Sequence, residues 1–248
     1  MKKTIILTLI LIVNCQLSIV NSGVVDHDKM FDAYLKGDLK TWKTELTKYT
    51  TTKNLTFNDK CEIANYLYGY IGFIVDGSGK KEEVEHWLDI FDGYIELMLK
   101  NPKTESMGHV YKAGASGMRG KVNKAKLISC GITTIKEVDK ALDVDETNPI
   151  AIGLKATTKL YAPAMLGRDR KKAVTLFMKA IKSLQANCPK VYRWNYRAMQ
   201  LCVVEAYVEM GETEKAKAYY EKVMKEVPGF TLLKKSYETG NFGNHDSE

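Results

Sequence analysis

Proline is scarce in this chain, with five in 248 residues. Together with long periodic segments, that scarcity favours an all-helical architecture over a sheet punctuated by tight turns. Histidine is scarcer still. His27, His86, His109 and His245 stand far apart, with no HExxH and no pair at helical spacing, so a zinc-hydrolase site is excluded. The five cysteines form no CxxC pair, which argues against a thiolate-bound metal, and a chain this long does not need disulfides. Cys61, Cys130, Cys188 and Cys202 therefore read as small buried apolar residues. Neither GxSxG nor GxxxxGK[ST] occurs. The GMRGK stretch at 117–121 lacks the preceding strand that a phosphate loop requires. No nucleophile with its base can be assembled, so no catalytic residue, cofactor or metal is expected.

Long hydrophobic runs are also missing, apart from one at the start. Lys2 and Lys3 precede an apolar run over 4–13 and a more polar exit over 14–22. That is the pattern of a signal peptide, too short to span a bilayer as a stable helix. Val20-Asn21-Ser22 offers a cleavage site before Gly23. Cys15 offers a second option, a lipid-anchored start, although Asn14 is a poor residue before it. Either route exports the protein, to the periplasm or the outer membrane, with no transmembrane span in the mature chain. The expected organisation is a signal peptide over 1–22, a helical domain over 23–235 and a polar, disordered tail over 236–248.

What is present is helical periodicity. Over 197–228, Met199, Val203, Ala206, Tyr207 and Met210 line one face of a first helix, and Gly211 provides the turn. Ala216, Tyr219, Tyr220, Val223 and Val227 line a second helix, stopped by Pro228 and Gly229. Upstream, 26–50 reads as a helix pair turning at Gly37, with 58–75 and 80–100 as two longer helices. A helix starting near Lys103 breaks at Gly114. Gly114, Gly117, Gly120 and Gly131 then mark 114–131 as a lysine-rich loop. Helices resume over 133–144, 150–160 and 171–184, with a second long turn over 161–170.

These positions resemble a tetratricopeptide repeat. Tyr207, Gly211, Ala216, Tyr220 and Pro228 fall in register with its pattern of about 34 residues. Val204 and Val223 depart from it by standing where the family has smaller residues. The long internal loops are similar to those of exported bacterial members. The resemblance implies a right-handed superhelix of about four antiparallel helix pairs, some degenerate, that binds rather than catalyses. Peptide clamping of the family's usual kind is disfavoured, because Leu201 and Glu205 occupy the places of its Lys and Asn.

Charge is uneven: net −4 over 26–105, +12 over 106–204 and −3 from Glu205 onward. In stacked hairpins the turns share one edge, which would gather Arg119, Lys121, Lys124, Arg168 and Arg170 with Lys159. Arg193, Trp194 and Arg197 add a basic-aromatic cluster of the kind enriched at binding hot spots. These residues form a candidate contact surface, with a solvated face and a core role for Trp194 as the plain alternative. Export argues against nucleic acid and favours a protein partner or an acidic envelope component. Two functions follow. One is a scaffold with an open groove. The other is a solute- or lipid-binding component accompanying an envelope transporter, which would need an enclosed apolar channel lined from 66–73 and 203–210.

Overall fold

Capping side chains start the helices where polar residues precede apolar stripes. Asp26 accepts from the Lys29 amide, and Asp38 accepts from the Thr41 amide. Thr56 and Asp59 form a reciprocal capping box, Asn148 precedes Pro149 at the first helical position, and Asp169 accepts from Lys172. Gly37 and Gly211 end their helices at φ of 67° and 70°, in the left-handed region that glycine adopts without strain.

The structure, a computed structural model, describes residues 23–242. The expected leader over 1–22, with Cys15, and residues 243–248 lie outside the described residues. Eleven α-helices follow one another, and no strand occurs among the described residues. They are α1 (His27–Lys36), α2 (Leu39–Thr51), α3 (Phe57–Phe73), α4 (Lys81–Leu99), α5 (Glu105–Val122), α6 (Leu127–Val144), α7 (Pro149–Tyr161), α8 (Arg170–Gln185), α9 (Arg193–Glu209), α10 (Thr213–Glu226) and α11 (Thr231–Thr239).

Each helix packs on its successor, as in an α-solenoid. The odd-numbered helices also touch one another: α3 meets α5, α5 meets α7, and α7 meets α9. The row then closes, because α1 packs on both α9 and α11. Bulky side chains fill the seam of that closure. Tyr34 of α1, Trp42 of α2, Trp194 of α9 and Phe230 before α11 form one aromatic cluster, with ring centroids 5.7–6.1 Å apart. Trp194, expected as a contact residue, is buried here.

Two expectations fail. The glycine-rich stretch is not a loop: α5 runs unbroken through Gly114, Gly117 and Gly120, and the real turn is confined to 123–126. Each glycine costs a helix about 1 kcal/mol, but tertiary contact overrides that. Thr134 donates to the Ala113 carbonyl at 3.1 Å and Ser116 to the Cys130 carbonyl at 3.0 Å. Such bonds across α5 and α6 need close helix approach. The second failure is at the C-terminus, where α11 continues to Thr239 through the start of the segment read as a tail. Its buried Leu233 and the Phe230 before it anchor the helix.

Candidate ligand-binding cavity

The row of odd-numbered helices, with part of α6, borders a partly open cavity of about 820 Å³. Its walls come from Tyr34 on α1, Tyr68 and Phe73 on α3, Met118 on α5, Leu154 on α7 and Trp194 on α9. Aromatic and aliphatic surface dominates. The size lies within the roughly 300–1,000 Å³ of small-molecule sites.

Glycine makes the room. Gly69, Gly72, Gly114, Gly117, Gly131 and Gly153 all line the cavity. At Gly69 an added Cβ would meet Trp42 at 2.7 Å and Trp194 at 2.9 Å. At Gly114 it would run into the Tyr68 ring, and at Gly153 into Met199. These three glycines let neighbouring side chains lie flat on a helix backbone. Gly72 and Gly117 differ: an added Cβ would find only ordinary contacts at 3.5 Å, so the cavity begins at their backbone.

Polar groups in the lining are mostly engaged by the protein itself. Thr134, Thr157 and Thr158 donate to carbonyls of the protein. Lys121 pairs with Asp76. Tyr161 donates to Glu205 at 2.5 Å, and its oxygen lies 3.8 Å from the Cys202 sulfur. Burial pushes the Glu205 carboxyl up to about 8, with the Tyr161 hydrogen bond opposing the rise, and it pushes the Cys202 thiol up to about 12. Both shifts favour the neutral forms of these groups beside the α7–α9 wall. Trp194 lines the cavity with an indole N–H that has no hydrogen-bond partner among the described residues.

The anticipated contact residues are placed differently from one another. Arg119 pairs with Asp92 at 2.5 Å, Arg170 with Glu209, Arg193 with Asp28 at 2.5 Å, and Arg197 with Glu226 at 2.9 Å. Lys159 donates to the Gly167 carbonyl at 3.1 Å. Lys121 and Trp194 belong to the cavity. Lys124 and Arg168 have no ion-pair partner among the described residues, and they adjoin in sequence the exposed Leu127, Ile128 and Met165. Pairing thus neutralises much of the positive strip that composition suggested.

The apolar space does include the 66–73 segment. On α9, however, its lining runs from Trp194 to Cys202, earlier than 203–210. Val203, Val204 and Ala206 are packed in the core instead. Sequence reasoning missed α7 and α11 as cavity walls, and with them the cavity-facing glycines. The spacing of Gly114, Gly117 and Gly120, three residues apart, is the signal for a glycine stripe on a helix, but it also reads as a flexible loop. The four cysteines among the described residues are free, and no group of three or more His, Cys, Asp and Glu there could hold a metal ion.

No family model matches the chain, and no curated protein matches it. Among solved structures it is similar to the HusA haemophore from Porphyromonas gingivalis, with 16% sequence identity and a TM-score of 0.53. The match covers 74% of this chain and 94% of that one. At this identity the likeness defines a shared helical fold. No helix among the described residues is long and apolar enough to cross a membrane.

Proposed function

We propose that the protein is an exported, non-enzymatic binding protein that takes a bulky, flat, largely apolar molecule into the cavity, with a tetrapyrrole such as haem as the ligand class. One observation carries the reading: a partly open cavity of about 820 Å³ bordered by α1, α3, α5, α6, α7, α9 and α11, walled by Tyr34, Tyr68, Phe73 and Trp194. Open helix backbone at Gly72 and Gly117, together with aromatic side chains in the walls, suits a planar guest, since aromatic rings stack in offset geometry. The fold's likeness to a haemophore makes a tetrapyrrole the guest to try first. Export rests on the signal-peptide pattern over 1–22. Haem here is cargo. The lining side chains that could approach a metal are Asp76, Tyr161, Cys202, Met118 and Met199; Asp76 pairs with Lys121, and Tyr161 and Cys202 already contact each other or Glu205.

Titrating the purified protein with haem tests the reading through the shift of the Soret band. Saturation at one equivalent is expected for the wild type. Gly117→Phe should abolish it while leaving the helical circular-dichroism signal and melting temperature in place, because position 117 has room for a Cβ and the ring would occupy the cavity. A wild type that gives no saturable shift, or a Gly117→Phe protein that binds as well as the wild type, would remove the cavity from consideration.

A further inference from the structure

The walls of the cavity are not alike. Those from α3, α5, α7 and α9 are mainly apolar, whereas α11 presents Leu232, Lys235, Ser236 and Thr239 to the space. These positions follow the i, i+3, i+4, i+7 rule for one face of a helix. The remaining face carries the anchors. Leu233 is fully buried, Tyr237 stacks on Tyr220 with ring centroids 4.1 Å apart, and Phe230 just before the helix contacts Tyr34 at 5.7 Å. Gly37 lies against Leu232, where an added Cβ would come within 3.4 Å. The polar stripe is held toward the cavity by apolar packing behind it.

Within the lining, most donors already have acceptors. The threonines of α6 and α7 bond to backbone carbonyls, and Lys121 is paired with Asp76. Thr239 donates to the Lys235 carbonyl at 2.8 Å. That leaves three neutral donors, the Trp194 indole N–H and the Tyr34 and Tyr68 hydroxyls, and one cation, the Lys235 ammonium, with no ion-pair or hydrogen-bond partner among the described residues. The adjacent Ser236 hydroxyl, on a residue only 7% exposed, has no hydrogen-bond partner among them either. A cation beside a hydroxyl donor, at the edge of an apolar space, matches an anionic oxygen group.

We propose that the ligand of this cavity is an amphiphile with at least one carboxylate, and that Lys235 and Ser236 on α11 receive that group while the ring system lies among the aromatic residues. The inference rests on the cavity being the binding site and adds the ligand's charge and orientation. Lys235 bears the charge interaction, and Ser236 supplies a short, fixed donor. α11 thereby acts as the polar wall that orients a guest whose apolar part could otherwise enter either way round.

The test uses two probes of one ring system, protoporphyrin IX and its dimethyl ester, titrated by fluorescence against the full-length protein. Lys235→Ala should lower affinity for the diacid about three- to tenfold and leave the ester's affinity unchanged. Ser236→Ala should act in the same direction by about twofold. Lys234→Ala serves as the control, since Lys234 pairs with Glu238 at 3.9 Å and does not line the cavity; it should alter neither probe. Raising ionic strength should weaken the diacid alone. If Lys235→Ala weakens both probes equally, or neither, the carboxylate assignment is overturned while the cavity reading stands. If neither probe binds the wild type, the cavity reading itself falls, and the assignment falls with it.

Discussion

Helices α4 and α5 are neighbours of almost equal length, 19 and 18 residues, yet they fill space in opposite ways. α4 turns Val84, Trp87, Leu88, Phe91, Ile95 and Met98 inward, and every one of these side chains is buried. Its single glycine, Gly93, is exposed with nothing near it. α5 carries Gly108, Gly114, Gly117 and Gly120, and two of them line the cavity. One helix is built to close a core and the other to leave room beside it. The cavity is therefore encoded in missing side chains of two kinds: at Gly117 on α5 and Gly72 on α3 the space reaches the helix backbone, while Gly114, Gly69 and Gly153 let neighbouring side chains pack flat against it.

The difference extends to what holds each helix. α4 depends on apolar burial, so Phe91→Ala should cost more stability than the changes to the polar and glycine positions of α5 and α6 described below. Phe91 is 0% exposed, and its ring lies 5.5 Å from that of Tyr111 on α5. Loss of such a side chain costs about 3–5 kcal/mol, read as a fall in denaturant midpoint at unchanged slope. A loss below about 1 kcal/mol would mean that α4 is not the packed partner of the pair.

Polar contacts supplement packing in the α5–α6 hairpin. α6 buries only Glu137, Val138 and Ala141. Glu137 lies 2.7 Å from His109 and 3.4 Å from Lys112, both on α5, and 2.8 Å from Lys140. Burial by itself would raise its carboxyl, but these three partners outweigh that and hold it down, to about 2. A carboxyl depressed on folding contributes stability that is complete above its unfolded value near 4.5 and lost as pH falls through about 2. Glu137→Gln should therefore cost about 2–3 kcal/mol at neutral pH, with the difference from wild type shrinking as pH drops from 4.5 toward 2. A gap that stays constant over that window would detach the ion cluster from the hairpin's stability.

The same contrast explains which parts of the structure were legible beforehand. α4 and the α9–α10 pair announce themselves through bulky residues at helical spacing and a glycine at the turn, and their bounds agree with that reading to within a few residues. α5 does not, because its inward face carries residues that local propensity assigns to a loop. What makes it helical is contact with α6 and Tyr68, which lies outside any local window. The pairing of the basic residues was hidden for a related reason. Composition counts Arg119, Arg170, Arg193 and Arg197 as positive surface, but their acidic partners come from distant stretches of sequence, Asp92, Glu209, Asp28 and Glu226. At the cavity, Trp194 was visible as a notable residue but not as a wall, and the polar stripe on α11 fell partly inside a segment that looked like tail.

The finest test of the comparison is a pair of identical changes with opposite signs. Gly93→Ala adds a methyl group where no atom lies within 4 Å, in the middle of a helix. The gain is helical propensity and a less flexible unfolded chain, up to about 1 kcal/mol. Gly114→Ala brings the same propensity gain, but its methyl meets the Tyr68 ring, which is itself packed at 5.8 Å from Tyr111 and 6.0 Å from Trp194. Overpacking of this kind costs about 1–3 kcal/mol, enough to reverse the sign. Melting temperatures of the two variants should thus move apart, Gly93→Ala upward and Gly114→Ala downward, and only the second should disturb ligand titration, because Tyr68 is a cavity wall. Two upward shifts would mean that Tyr68 can step aside at no cost, and that the glycines of α5 are not what shapes the cavity.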